Sequence, residues 1–231
     1  GISFDYFIHK TNNLLTLKNF NDQISGINRY WANSGALQNS GFEFSLSVKP
    51  IVTKSWNVEL GASVGHYKNE VIELPNGTYE EYSIYGYKNI RSIVGAPVAQ
   101  FYGYKTNGVF ADDESAKKAH LNVDGTTDYL FMYDETGAKK YFKAGDVHFV
   151  DLDNNGEINE NDRTVIGDPN PDIYGNLFAN INWKNFTLSF NFNYNIGNDV
   201  YNYQRMLLTS GSNFWNQQVS ITNHWRYEGQ Q

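Results

Sequence analysis

Residues 151–162 read DLDNNGEINEND, and their types and spacing suit the binding of a hard divalent cation. Ca²⁺ wants a sphere of oxygens, and loops of this length supply them from alternate positions, with a glycine for the sharp turn and an acidic residue at the end. Here Asp151, Asp153 and Asn155 offer side-chain oxygens and Gly156 permits the turn. Glu157 offers its backbone carbonyl, Ile158 points into the packing, and Asn159 can act through a water. Asp162 closes the set where a longer glutamate is usual, so bidentate closure is less assured. The alternative is a metal-free polar turn, for which Asp, Asn and Gly are equally suited. A calcium switch of the EF-hand kind needs a helix on each side. The flanks here are GDVHFV, which reads as a strand, and GDPNPDIYG, which carries two prolines. Calcium is therefore expected to be structural, the staple of an external loop, and no catalytic cofactor is expected.

Other apparent sites are weaker. GASVG (residues 61–65) matches the pattern of a nucleophile elbow, which needs a strand-to-helix turn. It lies instead inside an alternating strand, so small residues on a crowded face explain it. His9, His66, His120, His148 and His224 are dispersed and have no metal-ligand spacing. The chain has no cysteine, which removes disulfides, zinc–thiolate sites and thiol catalysis together. Net charge is −7 with scattered basic residues, so nucleic acid is not an expected partner. Nothing singles out a catalytic pair of carboxylates, and the chain is not expected to be an enzyme. Tyr79, Tyr82, Tyr85 and Tyr87 are exposed-loop aromatics that either pack the loop or stack on sugar rings.

The elements that must position the loop are strands. Aromatic residues make up 16% of the chain, a bias toward β-structure. Over residues 173–183, Leu177, Ala179, Ile181 and Trp183 alternate with Asn176, Phe178, Asn180 and Asn182. After Lys184-Asn185, Phe186, Leu188, Phe190, Phe192 and Tyr194 alternate with Thr187, Ser189, Asn191, Asn193 and Asn195. Side chains alternate faces along a strand, so this is a hairpin with one apolar face and one of amides and hydroxyls. GFEFSLSVKP and WNVELGASVGHY repeat the pattern around a short turn at 51–54, and GISFDYFIHK reads as a fifth such strand. No charge falls on their apolar faces, whereas Asp5, Glu43, Lys49 and Glu59 fall on the opposite ones. Residues 93–110 are either another crossing or an ordered loop strand; 112–119 and 199–208 are helix candidates, the first with Asp112 near its N-cap.

Strands of about 9–11 residues can cross a bilayer at a tilt, and they escape a scan for apolar helices. Short turns at one end and long segments at the other fit an outer-membrane barrel, with Trp183 and Phe186 in an aromatic girdle at the short-turn side. If both short turns are periplasmic, residues 151–171 lie outside the cell. The expected fold is all-β: an antiparallel transmembrane β-barrel segment with long extracellular loops at about 67–171, including the calcium-like loop 151–162. The rival is a secreted, soluble, calcium-stabilised carbohydrate-binding β-sandwich. The chain starts at Gly1 with a strand, as expected of a piece of a longer protein.

GDVHFVDLDNNGEINENDRTVIGDPNPDIYGN (145–176) resembles the signature stretch of SusC/RagA-like TonB-dependent outer-membrane transporters of Bacteroidetes. NSGFEFSLSVKPI, IVGAPVAQFYGYKTNGVF and NHWRYEG resemble further family segments in the family's order, so the resemblance covers most of residues 28–228. It implies that residues 1–231 are part of the C-terminal half of a barrel of roughly 22 strands with a plugged lumen, the plug domain itself being absent. It implies residence in the outer membrane against its lipid. It also implies import of oligosaccharides or peptides with a SusD-like surface lipoprotein, driven by the TonB complex through the missing N-terminal part. No residue here is assigned to substrate by the resemblance.

Overall fold

A computed structural model describes residues 1–19, 29–84, 87–122, 124–212 and 214–230. The chain divides into two compact units. The first comprises Gly1–Phe101 and Gly167–Asp199, and the second Tyr102–Ile166 and Val200–Gln231.

The first unit is built on five long antiparallel strands. In spatial order they are Ile2–Thr11, Ala36–Val52, Trp56–Glu73, Ile173–Trp183 and Phe186–Ile196. These are the alternating segments of the sequence, and the register carries their alternation across the whole sheet. One row runs Ile2, Leu46, Ala62, Leu177, Phe192, and another Phe4, Phe44, Val64, Gly175, Tyr194. On the opposite face, Ser3, Ser45, Ser63, Asn176 and Asn193 are aligned in the same way. A slip of one residue in any strand would put its apolar set among the amides, so the pattern itself fixes the register.

The apolar face has two ends. At the short-turn end Trp56 stacks on Trp183 at 5.5 Å and Trp183 on Phe186 at 6.0 Å. Lys184 lies over the Trp183 ring, and its φ of +51° closes the two-residue turn. At the other end the last apolar row is Tyr6, Phe42, His66; beyond it come Ile8, Ser40, Lys68 and then Lys10, Gln38, Glu70. From Trp56 to His66 the strand advances by ten residues, or about 33 Å at ~3.3 Å per residue. A tilt of ~40° brings that to roughly 25 Å, the height of the lipid-facing band of an outer-membrane barrel.

This face is uncovered. Phe4 is 65% exposed, Leu177 48%, Phe190 59% and Phe192 62%. Among the described residues, the buried apolar side chains of the first unit are Ala36, Val71 and Pro75, all beyond the band. A soluble sandwich would bury the band against a second sheet. Here the strands also run longer than the sequence alternation suggests: Trp56–Glu73 has 18 residues and continues past the band to Glu73. There the 93–100 stretch clamps the strand, with the Val71 amide donating to the Ala96 carbonyl at 2.9 Å and the Val98 amide to Asn69 Oδ1 at 2.8 Å. The 93–110 segment is thus no extra crossing; Gln100–Tyr104 is a short strand whose start pairs with Tyr87–Ile93.

The second unit has a small apolar core of its own: Phe110, Ala116, Leu130, Phe142 and Ile158. Around it lie two-stranded ribbons, Thr106–Val109 with Val147–Phe149 and Phe131–Tyr133 with Lys139–Tyr141. The helix Asp113–Lys117 starts at Asp112, whose carboxylate accepts the Ser115 amide at 2.7 Å in a capping box. The second helix candidate forms at Tyr203–Thr209. Trp225, in the NHWRYEG stretch, donates from Nε1 to the Ala111 carbonyl at 3.2 Å.

Candidate functional site

The loop 151–162 lies wholly in the second unit and folds around its carboxylates. The Asp151, Asp153 and Asp162 side chains each present an oxygen, and these three oxygens lie within 4.8 Å of one another. Backbone donors hold them there. Asp151 accepts the amides of Asn155 at 3.2 Å and Gly156 at 2.8 Å. Gly156 turns at φ +81° with the His120 ring against its α-carbon, so a side chain there would be strained and crowded. Asp162 is fully buried and takes the Leu152 amide on Oδ1 and the Asn159 amide on Oδ2, both at 2.8 Å.

Three carboxylates this close repel one another. Desolvation, then the negative charges of Asp162 and Asp151, hold the Asp153 carboxyl above its ordinary value. The geometry suits an oxygen-loving cation, since each carboxylate oxygen keeps a second lone pair beyond the backbone bond it accepts. Asn155 is tied into the same loop, its Oδ1 accepting the Glu157 amide at 2.6 Å and its Nδ2 donating to Asp153 at 2.9 Å. The Glu157 side chain is not in the convergent group, which leaves this residue its main chain to offer. Asn159 caps the short 3-10 turn Glu160–Asp162.

Ile158 anchors the loop to the core. Its amide donates to the Phe131 carbonyl at 2.8 Å, the Phe131 amide donates to the Gly156 carbonyl at 3.1 Å, and its side chain is buried. Sequence reasoning misses His120, whose Nδ1 lies 3.4 Å from Asp151 Oδ2; no local pattern links residues so far apart. The other histidines stay scattered: His66 Nδ1 is 2.5 Å from the Asp172 carbonyl, and His148 stacks on Phe110 at 4.3 Å. Burial holds the His148 imidazole below its ordinary range. GASVG is mid-strand, with the Phe178 ring over Gly61 and the Tyr174 ring over Gly65. Tyr79 sits under Arg91, and burial, with a bond to Glu80 second, pushes the Tyr82 hydroxyl up to about 12. Tyr85 lies outside the described residues, as does the Tyr87 side chain.

No protein-family model matches the chain. Curated relatives do. It is 28% identical over 229 residues to the TonB-dependent receptor P3 of Formosa agariphila, a match covering 97% of this chain and 21% of that protein. It is 30% identical over 225 residues to receptor P39 of the same organism, covering 87% of this chain and 20% of the relative. It is 29% identical over 204 residues to the TonB-dependent receptor SusC of Bacteroides thetaiotaomicron, covering 85% of this chain and 18% of SusC. Among solved structures, the RagAB peptide transporter superposes with a TM-score of 0.66 at 20% identity, covering 97% of this chain and 22% of that one. The chain thus spans about one fifth of the length of the relatives it matches. Over most of its length the chain is similar to part of these TonB-dependent receptors, and its fold is that of the matching part of the RagAB transporter.

Proposed function

We propose that this chain forms part of the wall and outer loops of a barrel that imports nutrients across the outer membrane under TonB control. The observation that carries this reading is the uncovered apolar band, bounded by a tryptophan cluster at one end and by Lys10, Lys68 and Glu70 at the other. Lipid is the solvent that such a band needs. The opposite face, with its aligned serines and asparagines, then lines the lumen. Five strands do not close a barrel of roughly 22, so the remaining strands come from the rest of the protein. The chain acts by passage and not by bond chemistry, in keeping with relatives that are receptors and transporters.

Substrate is an oligosaccharide or a peptide, captured with a SusD-like surface lipoprotein; SusC and the RagAB peptide transporter among the matches support this. In the sequence, Tyr102–Ile166 of the second unit falls between the third and fourth long strands and Val200–Gln231 follows the fifth, and we assign both to the extracellular loops. There we assign a structural Ca²⁺ to Asp151, Asp153, Asn155 and Asp162 through side chains and to Glu157 through its carbonyl. The cation would neutralise the convergent carboxylates and hold the loop closed.

The test is to express the intact parent gene and fractionate the cells. The protein should sediment with the outer membrane and show heat-modifiable β-structure in detergent. Recovery as a detergent-free soluble protein from periplasm or medium would establish the carbohydrate-binding sandwich instead.

A further inference from the structure

We infer that His120 is a positioning residue for the calcium loop: it holds Asp151 so that Oδ1 is the oxygen this residue offers to the cation. This role rests on the calcium assignment proposed above and deepens it. It adds a residue from outside the loop and fixes how Asp151 takes part.

His120 opens the short strand His120–Leu121, which pairs with Thr127–Asp128 in the same unit as the loop. Its side chain is 12% exposed, and its Nδ1 lies 3.4 Å from Asp151 Oδ2. The same ring lies against Gly156, where an added Cβ would sit 3.1 Å from ring Cδ2 and 3.3 Å from Nε2. The Gly156 amide donates to that same Asp151 Oδ2 at 2.8 Å. His120 thus packs against both ends of the hydrogen bond that turns the loop back on Asp151. It is not itself one of the converging ligand atoms: among the described residues those belong to Asp151, Asp153 and Asp162.

The two oxygens of Asp151 are thereby made unequal. Each carboxylate oxygen has two lone pairs. On Oδ2 the Gly156 amide takes one, and His120 Nδ1 faces the other. Among the described residues, Oδ1 accepts the Asn155 amide alone, at 3.2 Å. A lone pair is therefore left on Oδ1 and not on Oδ2. The carboxylate selects the tautomer with its proton on Nδ1, since a bare ring nitrogen there would repel it. At 3.4 Å the contact is long for a hydrogen bond, so burial and the packing on Gly156 keep the ring in place. Partners behind a ligating group fix its orientation, and removing one typically weakens metal binding about 10–100-fold.

The experiment is a calorimetric titration of the detergent-solubilised parent protein with calcium chloride, with Asp162→Ala as the blank that isolates this site. His120→Leu keeps side-chain bulk and lacks the donor. His120→Asn returns an N–H at the place of Nδ1, since both nitrogens are bonded to Cγ. The calcium Kd should rise about 10–100-fold in His120→Leu, and His120→Asn should recover most of that loss. Melting in EGTA is measured beside it, because a purely structural role would lower it in both variants and leave the Kd alone. If His120→Leu does not fold, His120→Gln takes its place with the same rise in Kd expected, its amide being bonded one carbon farther out. A Kd unchanged in the variant without the donor, or raised equally in His120→Asn, overturns the positioning role alone. A wild type whose calcium heat matches that of Asp162→Ala overturns the calcium assignment, and this role with it.

Discussion

At the scale of single residues, Asp162 is where the loop is most exposed to change. It is fully buried and both its oxygens accept backbone amides. Asp162→Ala strands the Leu152 and Asn159 donors at about 1–3 kcal/mol each and removes a proposed calcium ligand. Thermal melting of the detergent-solubilised parent in calcium and in EGTA should show two things: a lower wild-type melting point for this unit without calcium, and an Asp162→Ala protein that no longer distinguishes the two buffers. A wild type indifferent to EGTA would mean the metal-free turn. The convergence of Asp151, Asp153 and Asp162 was legible in the sequence because an oxygen-rich loop is local. His120 was not, because its place beside Asp151 is set by tertiary packing.

At the scale of elements, the long strands were legible because their period of two persists over ten or more residues, and the register keeps the faces aligned. What could not be read was how far the Ala36–Val52 and Trp56–Glu73 strands continue beyond the band, since alternation fades once both faces are polar. The glycines inside the strands answer to rings on the next strand. A Cβ on Gly61 would meet the Phe178 ring directly. Gly61→Val should therefore impair barrel assembly, and Phe178→Ala should restore part of it, as seen by the heat-modifiable gel shift of the double variant. No rescue would mean that Gly61 matters for another reason. The second unit has its own pH response. Hydrogen bonds from Ser115, Thr126 and Thr136 hold Asp112, Asp124 and Asp134 below their ordinary values, while burial does the same to His148. Each of these lowered groups contributes stability that is present above its unfolded value and lost as pH falls through its folded one. Tyrosine fluorescence of this unit should report weakening from about pH 6.5 downward and more steeply near pH 4; greater stability in acid would contradict it.

At the scale of the whole molecule, the account rests on which solvent meets each face of the five-stranded sheet. A charge makes the first check: Leu177→Arg, near mid-band, should cost about 2–4 kcal/mol and reduce the amount of protein in the outer membrane, whereas Asn176→Arg should be tolerated. A soluble core would also reject arginine at Leu177, so the decisive measurement reads the solvent directly. The chain contributes no cysteine, so single cysteines can be placed in it at positions 176, 177, 190 and 191 and spin-labelled in the reconstituted parent. Collision with oxygen, which partitions into lipid, is then compared with collision with a water-soluble nickel chelate. Labels at 177 and 190 should be accessible to oxygen and shielded from nickel, and labels at 176 and 191 the reverse. Labels at 177 and 190 that neither reagent reaches would show the apolar face buried in protein, and the barrel wall would be the wrong account.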